Sequence, residues 1–570
     1  MPDPTPTGPV GLPDPAPAPI GPVILPVPAP TDPIEFPSYE PTIPAMIRAA
    51  VHAHGERLLG VLEDQRMTYA DADAASAAIA KGLLAIGVGK GTRVGLLAPN
   101  GPDWIAAWLA IGRIGALGVM LNTYYKAREL DWALRHADVQ VLLCAPRHLG
   151  HDYLDRLEEI ADPGDDPAIR SLSHPYLRSV WAWGQPDRPW ARSMDDLLAA
   201  GEAVSDEHLA AAEAQVTPAD EFVVVYTSGS TAAPKGAIHA QGAMVRHAHN
   251  LGQYRDLTPD DRLYTPMPLF WVGGMSFTLV AAIHVGAAMV FEERFDPGET
   301  LALIEREQVT IVAGWPHMSR MLTDHPDFEK RDLSSVRGGS LDVLLPPELR
   351  IGDVELRVNS LGMTETLGPH TLGVMGNQLP EEKWGSFGWT VPGMEHRIVD
   401  PVTGDDCPTG EQGEVWVRGY ALMSGLYKVE RADAFTPDGW YRTGDGGYFD
   451  DDGYFFFTGR MGDLIKSAGM NIAPREVELV LEEPEEVMHA FVCGVPHPDR
   501  LEDVAAAVVL RPGQSLTAEQ LIAYTAARVA SYKVPRHLAV YDTPDELPWL
   551  DSGKIDRIGV QQILTERFTG

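Results

Sequence analysis

Short apolar runs alternate with helical apolar stripes along much of the chain. Arg93–Ala98 predicts a strand, and the next segment carries apolar residues at helical spacing, namely Trp104, Ile105, Trp108, Ile111 and Ile114. A short strand near Met120, a helix across Arg128–His136 and a strand across Val139–Leu143 continue the series. This repetition predicts a parallel sheet with helices on its faces, so the N-terminal part is expected to have an α/β fold. A second unit of this kind extends over residues 287–313.

The pattern changes near residue 384. Trp384–Phe457 is rich in glycine, valine and turn residues, as in DPVTGDDCPTGEQGEVWVRG, and predicts a small all-β subdomain. Beyond Gly459 a helix is expected to carry Pro474 in its first turn, and strands and another helix follow it. About 110 residues is enough for a separate α+β domain.

Proline dominates the start of the chain, where it recurs every two to four residues. Proline removes amide donors and favours extended polyproline conformers, so residues 1–43 are interpreted as a disordered proline-rich arm outside the fold. A proline-rich ligand for a partner domain is the alternative interpretation.

Composition limits the partners. Lys and Arg total 45 against 80 Asp and Glu, and the formal net charge of −35 would repel nucleic-acid phosphates and anionic bilayers. The cysteines Cys144, Cys407 and Cys493 form no CxxC pair, so neither a disulfide framework nor a zinc site is indicated. Without a membrane-span run or a signal-peptide pattern, the protein is expected to be cytoplasmic, with no nucleic-acid partner and no membrane span.

The segment YTSGSTAAPKG at residues 226–236 follows the apolar run Phe222–Val225, which predicts a buried strand. A glycine-rich turn at the C-terminal end of a parallel strand lets backbone N–H groups converge on an anion, and hydroxyls and a lysine extend that site. The spacing differs from the Walker loop G-x-x-x-x-G-K-[ST], because Pro234 is the fifth residue after Gly229. A second glycine-rich stretch, Gly87–Thr92, lies between a predicted helix and a strand and is interpreted as a connecting turn.

Five segments occur in the order found in one enzyme superfamily: YTSGSTAAPKG at 226, SLGMTET at 360, WYRTGD at 440, TGRMGDLIKSAGMNIAPREVE at 458 and LPWLDSGKIDR at 547. Together they resemble the acyl-adenylate-forming superfamily, which includes acyl-CoA synthetases, peptide-synthetase adenylation domains and beetle luciferases. The resemblance covers the chain from about Pro44 onward. It implies a large N-terminal domain of parallel α/β sheets with a small β-barrel-like subdomain (44–459), and a small mobile α+β lid domain (460–570).

The resemblance also implies two half-reactions. A carboxylate attacks the α-phosphorus of ATP and releases pyrophosphate, and a thiol then attacks the acyl-adenylate and releases AMP. The expected cofactors are ATP, Mg²⁺ and coenzyme A. Glu365 would carry the magnesium, and Thr364 would contact the α-phosphate. The β- and γ-phosphates would be held by Thr227, Ser228, Gly229, Ser230, Thr231 and Lys235.

The remaining nucleotide contacts are assigned by the same resemblance. Asp445 would accept hydrogen bonds from the ribose hydroxyls, and Arg460 resembles the second ribose contact. The adenine pocket would be formed by Gly338, Gly339, Ser340, Leu361 and Gly362. Lys554, in the lid domain, would place its ammonium between the substrate carboxylate and the α-phosphate. On another face of the lid, Gly469 would line the pantetheine tunnel, so a large rotation is implied, with Gly462 at the hinge.

The segment PLFWVGG resembles the acyl-pocket segment of the superfamily. Trp271 stands where peptide-synthetase domains usually place an aspartate for an amino acid's ammonium, so an uncharged acyl or aryl acid is expected. The pocket candidates are Phe270, Trp271, Gly273, Gly274, Gly314, Trp315, Gly362 and Met363. No carrier-protein segment follows Arg557, which favours CoA as the acceptor. The histidines His52, His54, His239, His247 and His249 are interpreted as solvated or structural.

Three departures from the superfamily pattern leave alternatives open. Ala232 replaces a loop glycine, Leu361 replaces an aromatic residue, and Gly462 replaces a charged one. The leading hypothesis is an acid:CoA ligase acting as a monomer or homodimer. The alternatives are a fatty-acyl-AMP ligase, an enzyme that loads a carrier protein, and a degenerate sensor of nucleotide or acyl ligands.

Overall fold

A computed structural model describes residues 36–227, 234–314, 316–345, 360–373, 383, 385–401, 403–460, 465–472, 474–549 and 555–569. We call residues 36–460 the body and residues 465–569 the C-terminal unit. None of the described helices is long and apolar enough to cross a bilayer.

Helices occur in both parts. In chain order they are α1 (Ile43–His54), α2 (Tyr69–Ala85), α3 (Pro102–Arg113), α4 (Ala127–His136), α5 (Tyr153–Ala161), α6 (Met194–Gly201), α7 (Asp206–Glu213), α8 (Gln241–Tyr254), α9 (Ala281–Val285), α10 (Pro297–Glu307), α11 (Pro316–Thr323), α12 (Arg431–Ala434), α13 (Pro474–Leu481), α14 (Ala518–Ala526) and α15 (Arg557–Thr569). A π-helical segment, Gly273–Val280, runs directly into α9. Short 3₁₀ turns occur at Phe328–Lys330, Asp342–Leu344, Thr364–Thr366, Ser531–Lys533 and Pro544–Glu546.

The strands are β1 (Leu58–Leu62), β2 (Gln65–Thr68), β3 (Arg93–Leu97), β4 (Leu117–Met120), β5 (Val141–Cys144), β6 (Arg147–His148), β7 (His151–Asp152), β8 (Ser179–Ala182), β9 (Ala191–Ser193), β10 (Glu221–Thr227), β11 (Lys235–Ala240), β12 (Arg262–Tyr264), β13 (Ala288–Phe291), β14 (Ile311–Val312), β15 (Gly338–Gly339), β16 (Ser360–Met363), β17 (Gly368–Leu372), β18 (Trp389–Thr390), β19 (Met394–Val399), β20 (Gly413–Gly419), β21 (Gly425–Leu426), β22 (Tyr441–Phe449), β23 (Phe455–Arg460), β24 (Ile465–Ser467), β25 (Met470–Ile472), β26 (Val487–His497), β27 (Leu501–Leu510) and β28 (His537–Tyr541).

Two large sheets form the centre of the body. One has the order β21-β11-β10-β4-β3-β5-β8-β9, and its strands from β10 to β9 are parallel. The other has the order β15-β14-β12-β13-β1-β2 and is parallel apart from the β1–β2 pair. The predicted α/β fold is therefore confirmed. Both predicted strand–helix–strand units lie in these sheets.

Local sequence explains where the helices of this layer begin. At the start of α2, Thr68 Oγ1 accepts from the Asp71 N–H (3.0 Å) and the Asp71 carboxylate accepts from the Thr68 N–H (2.9 Å), which is a capping box. Pro102 occupies the first turn of α3, where its missing N–H costs nothing. The predicted stripe of α3 is buried: Trp104 and Trp108 stack 6.1 Å apart, and Trp108 contacts Phe222 of β10. Gly87–Thr92 connects α2 to β3, as predicted.

The β-rich segment forms the antiparallel sheet β19-β20-β22-β23, in agreement with the predicted all-β subdomain. The C-terminal unit has its own sheet, in which β26 and β27 form a long hairpin and β28 pairs with β27 in parallel. Separate apolar cores lie on the two faces of this sheet: α13 and α14 cover one, and α15 covers the other.

The last residues of the predicted proline-rich arm, from Phe36 onward, pack against the body. The ring of Phe36 lies 5.3 Å from that of Tyr420, and the Tyr39 hydroxyl bonds His284 Nδ1 at 2.8 Å. Thr42 is buried as the N-cap of α1. This segment is ordered although prolines are frequent nearby, because its aromatic side chains pack on the surface of the body. Residues 1–35 lie outside the described residues.

Candidate active site

The predicted phosphate loop connects two hydrogen-bonded strands. β10 pairs with β4 in parallel and with β11 in antiparallel orientation, and Thr227 lies directly opposite Lys235 at the point where the loop leaves the sheet. The two candidates at the neck of the loop are therefore adjacent. Ser228, Gly229, Ser230 and Thr231, together with Ala232, lie outside the described residues.

The second motif forms a tight turn beside these strands. Thr364–Thr366 is a 3₁₀ turn, and Glu365 is 9% exposed. The Tyr441 hydroxyl donates to Glu365 Oε1 at 3.1 Å, and the Glu365 carbonyl accepts from the Met423 N–H at 2.8 Å. Because Tyr441 begins β22, this contact joins the predicted magnesium residue to the strand that carries Asp445.

His239 fixes the same turn from the other side. Its ring is fully buried, and Nε2 lies 2.8 Å from the Thr364 carbonyl oxygen, so Nε2 carries the proton and donates. Burial lowers the pKa of His239 to about 3, which keeps the ring neutral at pH 7. The sequence interpretation treated His239 only as solvated or structural, and its role in holding Thr364 was missed. Its position on the strand after the phosphate loop is the signal that could have identified it.

The residues present fit a magnesium ion that is shared with phosphate oxygens. Mg²⁺ keeps several waters and usually takes one or two carboxylates together with substrate phosphates. Among the described residues, no three His, Cys, Asp or Glu side chains are grouped to hold a metal. Glu365 would therefore hold the ion together with the nucleotide.

The two predicted ribose residues are direct cross-strand neighbours, because Asp445 on β22 pairs with Arg460 on β23. Asp445 is 3% exposed, and its N–H donates to Thr443 Oγ1 at 3.0 Å. The Thr443 hydroxyl in turn donates to the Val415 carbonyl at 2.6 Å, which ties this segment to β20.

The adenine candidates Gly338, Gly339 and Ser340 lie at the end of the six-stranded sheet, next to Gly314. Ser340 Oγ accepts from the Gly314 N–H (3.0 Å) and donates to its carbonyl (2.8 Å). Gly339 has φ +127°, and a Cβ there would lie 1.9 Å from the Val312 oxygen, so only glycine fits. Leu361 is buried, and its N–H bonds Thr371 Oγ1 at 3.1 Å.

The acyl-pocket candidates surround the start of the π-helical segment. Phe270 and Trp271 are in edge contact at 5.4 Å, and Gly273 and Gly274 follow them. Met363 is buried, whereas the backbone of Gly362 is exposed beside it. Trp315 lies outside the described residues.

Asn100 was missed by the sequence analysis. Its amide donates to the Met267 carbonyl at 3.0 Å and accepts from the Leu269 N–H at 2.7 Å, so it fixes the segment that leads into Phe270. Asn100 lies three positions after the end of β3, and a polar residue just beyond the C-terminal end of a parallel strand is the signal that could have marked it.

Gly469 lies in the turn that joins β24 to β25. Ala468 and Gly469 both have positive φ (48° and 83°), as in a type I′ hairpin, and the Ala468 N–H bonds the Arg500 carbonyl at 2.9 Å. Next to this turn, Asp499 forms an ion pair with Arg320 of the body. The described orientation therefore brings the Gly469 turn to the body.

Lys554 and the predicted hinge Gly462 lie outside the described residues. Trp549 and Ile555, which flank Lys554, lie on the face of the C-terminal sheet that α15 covers. Trp549 packs against Phe491, and Ile555 joins the core that α15 covers. The body instead contacts the side of α13, where Glu476 and Glu483 lie.

Comparison with known proteins agrees with this geometry. The family model for AMP-binding enzymes matches residues 47–427, and the model for their C-terminal domain matches residues 476–554. Feruloyl-CoA synthase of an Amycolatopsis species is 34% identical over 497 residues, covering 86% of this chain and 92% of the relative. The mitochondrial medium-chain acyl-CoA ligase ACSF2 of Danio rerio is 30% identical over 541 residues, covering 91% and 88%.

A solved structure extends the similarity to both parts of the molecule. The o-succinylbenzoate-CoA synthetase MenE of Bacillus subtilis, determined as a double mutant bound with its product analogue OSB-NCoA, matches with a TM-score of 0.71 and 26% identity, covering 90% of this chain and 97% of its own. The chain belongs to the AMP-binding enzyme family, and within it is an ATP-dependent, AMP-forming acyl-CoA ligase that uses Mg²⁺ and joins a carboxylic acid to CoA through an acyl-adenylate.

Proposed function

We propose that the substrate is a fatty or aryl carboxylic acid that carries no charged group besides its carboxylate. We also propose that the motif residues act in the roles expected from the sequence. Trp271, which is half-buried beside Phe270, supplies an apolar surface and no carboxylate for an ammonium group. The names of the relatives, medium-chain acyl-CoA ligase and feruloyl-CoA synthase, support an acid of this class.

The observation that carries the assignment of roles is the set of contacts around Glu365. Its turn is bonded by His239, on the strand that leaves the phosphate loop, and by Tyr441, on the strand that leads to Asp445. A phosphate-binding loop, a metal-binding carboxylate and a ribose-binding carboxylate are thus supported by one connected set of strands. This arrangement favours a nucleoside triphosphate over a smaller anion as the ligand of the site.

In the first half-reaction, an oxygen of the substrate carboxylate forms a bond to the α-phosphorus of ATP, and the bond to the bridging oxygen of the β-phosphate breaks. Pyrophosphate leaves with that electron pair. Thr227 and Lys235 contact the departing phosphates, and Thr364 contacts the α-phosphate. Lys554 supplies an ammonium where negative charge increases in the transition state. When bound, the magnesium ion neutralises phosphate charge.

In the second half-reaction, the sulfur of CoA bonds to the acyl carbon, and the bond to the adenylate oxygen breaks, so that AMP leaves. Gly469 lines the path of the pantetheine chain. The C-terminal unit acts as a mobile lid that is divided from the body at residue 460, because Lys554 and Gly469 belong to different faces of it. The three scattered thiols support a cytoplasmic location.

Acid-dependent exchange of pyrophosphate into ATP, measured over a panel of fatty and aromatic acids with and without CoA, tests the proposal. We expect exchange with a restricted group of uncharged acids, and acyl-CoA when CoA is added. Exchange without CoA consumption would favour an acyl-AMP ligase or a carrier-loading enzyme. Absence of exchange with every acid would favour the sensor.

A further inference from the structure

A buried cation joins the two parts of the chain. Lys533 is 2% exposed, and its Nζ lies 2.8 Å from Glu129 Oε1 of the body and 2.7 Å from Glu476 Oε1 of the C-terminal unit. The side chains of Glu129 and Glu476 are 9% and 11% exposed. One ammonium therefore stands between two carboxylates that come from opposite sides of the interface.

The neighbouring residue strengthens the same contact. Tyr532 is half-buried, its ring meets that of Tyr124 edge-on with centroids 6.4 Å apart, and its hydroxyl accepts from Asn122 Nδ2 at 3.4 Å. Tyr124 also meets Phe270 edge-on at 6.4 Å. A single body residue thus separates the acyl-pocket aromatic from the C-terminal unit.

The position of this contact identifies the orientation that it stabilises. Lys533 precedes β28, close to the end of the β26–β27 hairpin, because the Arg536 N–H bonds the Val504 carbonyl at 2.9 Å. That end of the hairpin carries Asp499, which pairs with Arg320, and it adjoins the Gly469 turn. Lys533 therefore holds the C-terminal unit with the Gly469 turn towards the body, and this turn is the one proposed to line the path of the pantetheine chain.

We propose that Lys533, Glu129 and Glu476 form an inter-domain clasp that positions the C-terminal unit for thioester formation and must open for adenylation. The inference rests on the proposed function, since it assigns the clasp to one of the two half-reactions. Lys533 is a positioning residue that acts through the orientation of the Gly469 turn.

Electrostatics explain why the clasp acts on one orientation. Burial alone would lower the pKa of Lys533, but Tyr532, Glu129, Glu476 and Tyr125 raise it well above its ordinary value, so the side chain stays charged. Without the ammonium, this orientation would press two carboxylates together in a buried site, which is unfavourable. In a rotated orientation the same carboxylates would be separated and solvated. Loss of Lys533 should therefore penalise only the closed clasp.

Measuring the two half-reactions separately tests this idea. Lys533→Met should slow acyl-CoA formation from supplied acyl-AMP and CoA by tenfold or more, while pyrophosphate exchange stays within twofold of the wild type or rises. Glu129→Gln, an isosteric change in the body, should give the same split with a smaller loss. Lys533→Arg keeps the charge and should recover part of the thioester rate.

A matched control lies on the same helix as Glu129. Arg135→Met removes an exposed ion pair between Arg135 and Asp131 that stays within α4, so both half-reactions should match the wild type. Equal effects of Lys533→Met and Arg135→Met, or equal losses in both half-reactions for Lys533→Met, would overturn the clasp. If the wild type itself shows no exchange with any acid, the proposed function fails instead, and the two failures are distinguishable.

Locking the interface provides an independent measurement. Arg128 of the body contacts Glu483 beside the clasp, so Arg128→Cys with Glu483→Cys places two thiols across the interface. The background should carry Cys407→Ser and Cys493→Ser, because those thiols are partly accessible, whereas Cys144 is buried. After acyl-AMP has formed, a bismaleimide with a spacer that CoA cannot cleave should stop further exchange but still permit conversion by added CoA. Exchange that continues in the cross-linked enzyme would overturn the proposal.

Discussion

Gly339→Ala tests how tightly β15, which carries two of the adenine candidates, packs against its neighbour β14. Gly339 has φ +127°, and its added Cβ would lie 1.9 Å from the Val312 oxygen, where contacts below 3.0 Å essentially never occur, so the strands must separate by about 1.1 Å. The Val312 oxygen also accepts from the Ser340 N–H at 3.0 Å.

The expected cost follows from three terms. The backbone conformation costs a non-glycine residue about 1–3 kcal/mol. Overpacking against a fixed backbone adds about 1–3 kcal/mol, and a weakened hydrogen bond adds about 1 kcal/mol. Their combination is roughly 3–7 kcal/mol, which is a large part of the free energy of unfolding of an ordinary domain. We expect the melting temperature to fall by at least about 3 °C.

Thermal unfolding and ATP kinetics together form the assay. The matched control is Gly184→Ala, since Gly184 also has positive φ (75°) but an added Cβ would meet nothing within 4 Å. That variant should lose only about 1 kcal/mol and keep its KM for ATP. Gly339→Ala should also raise the KM for ATP at least tenfold, because the displaced segment is the one proposed to line the adenine pocket. Equal melting temperatures for the two variants, with unchanged KM, would refute the reasoning.

Four other changes have defined outcomes. Glu365→Gln should lower the rate of pyrophosphate exchange by about 10²–10³, and a rate near that of the wild type would contradict its role at magnesium. Asp445→Asn should raise the KM for ATP about tenfold or more, since a carboxylate that accepts two hydroxyls is lost; an unchanged KM would contradict the ribose assignment. Lys554→Ala should abolish exchange but still convert supplied acyl-AMP and CoA, and retained exchange would remove Lys554 from adenylation. Burial raises the pKa of Glu292 from 4.5 to about 7, so the folded state holds this proton more tightly than the unfolded chain, and stability is lost as pH rises through that interval. In the Glu292→Gln variant, the free energy of unfolding should fall by roughly 3 kcal/mol less between pH 5 and pH 8 than in the wild type. A melting temperature with the same pH profile in variant and wild type would contradict this.

The layered part of the fold could be predicted because each element carries its own signal. The apolar stripe of α3 and the apolar run of β10 are buried on all sides in a parallel sheet, where periodicity and burial agree. Element ends were less certain: the predicted strand Val139–Leu143 is observed as Val141–Cys144. The Asp138–Gln140 link that precedes β5 is short and partly apolar, so periodicity alone could not place the start of the strand.

The candidate site could be predicted only as separate motifs. The bond from Tyr441 to Glu365 joins residues 76 positions apart, and the bond from His239 to Thr364 joins residues 125 positions apart. Such contacts depend on the packing of distant strands and leave no local pattern. Asn100 is a similar case, since its partners lie more than 160 positions away.

The orientation of the C-terminal unit lay furthest from sequence prediction, since Lys533 and Glu129 are 404 positions apart. Their contact has a consequence for turnover. The C-terminal unit carries the Gly469 turn beside the body and the flanks of Lys554 on the face that α15 covers, so under the proposed rotation each catalytic cycle opens the clasp once and closes it once. If the closed clasp were lower in free energy than its separated, solvated groups by many RT, the enzyme would be trapped after thioester release. If the difference were small, acyl-AMP would be left exposed to water. The second carboxylate moderates this balance: it leaves the closed triad with a net negative charge, so the closed orientation gains less than a matched pair would give.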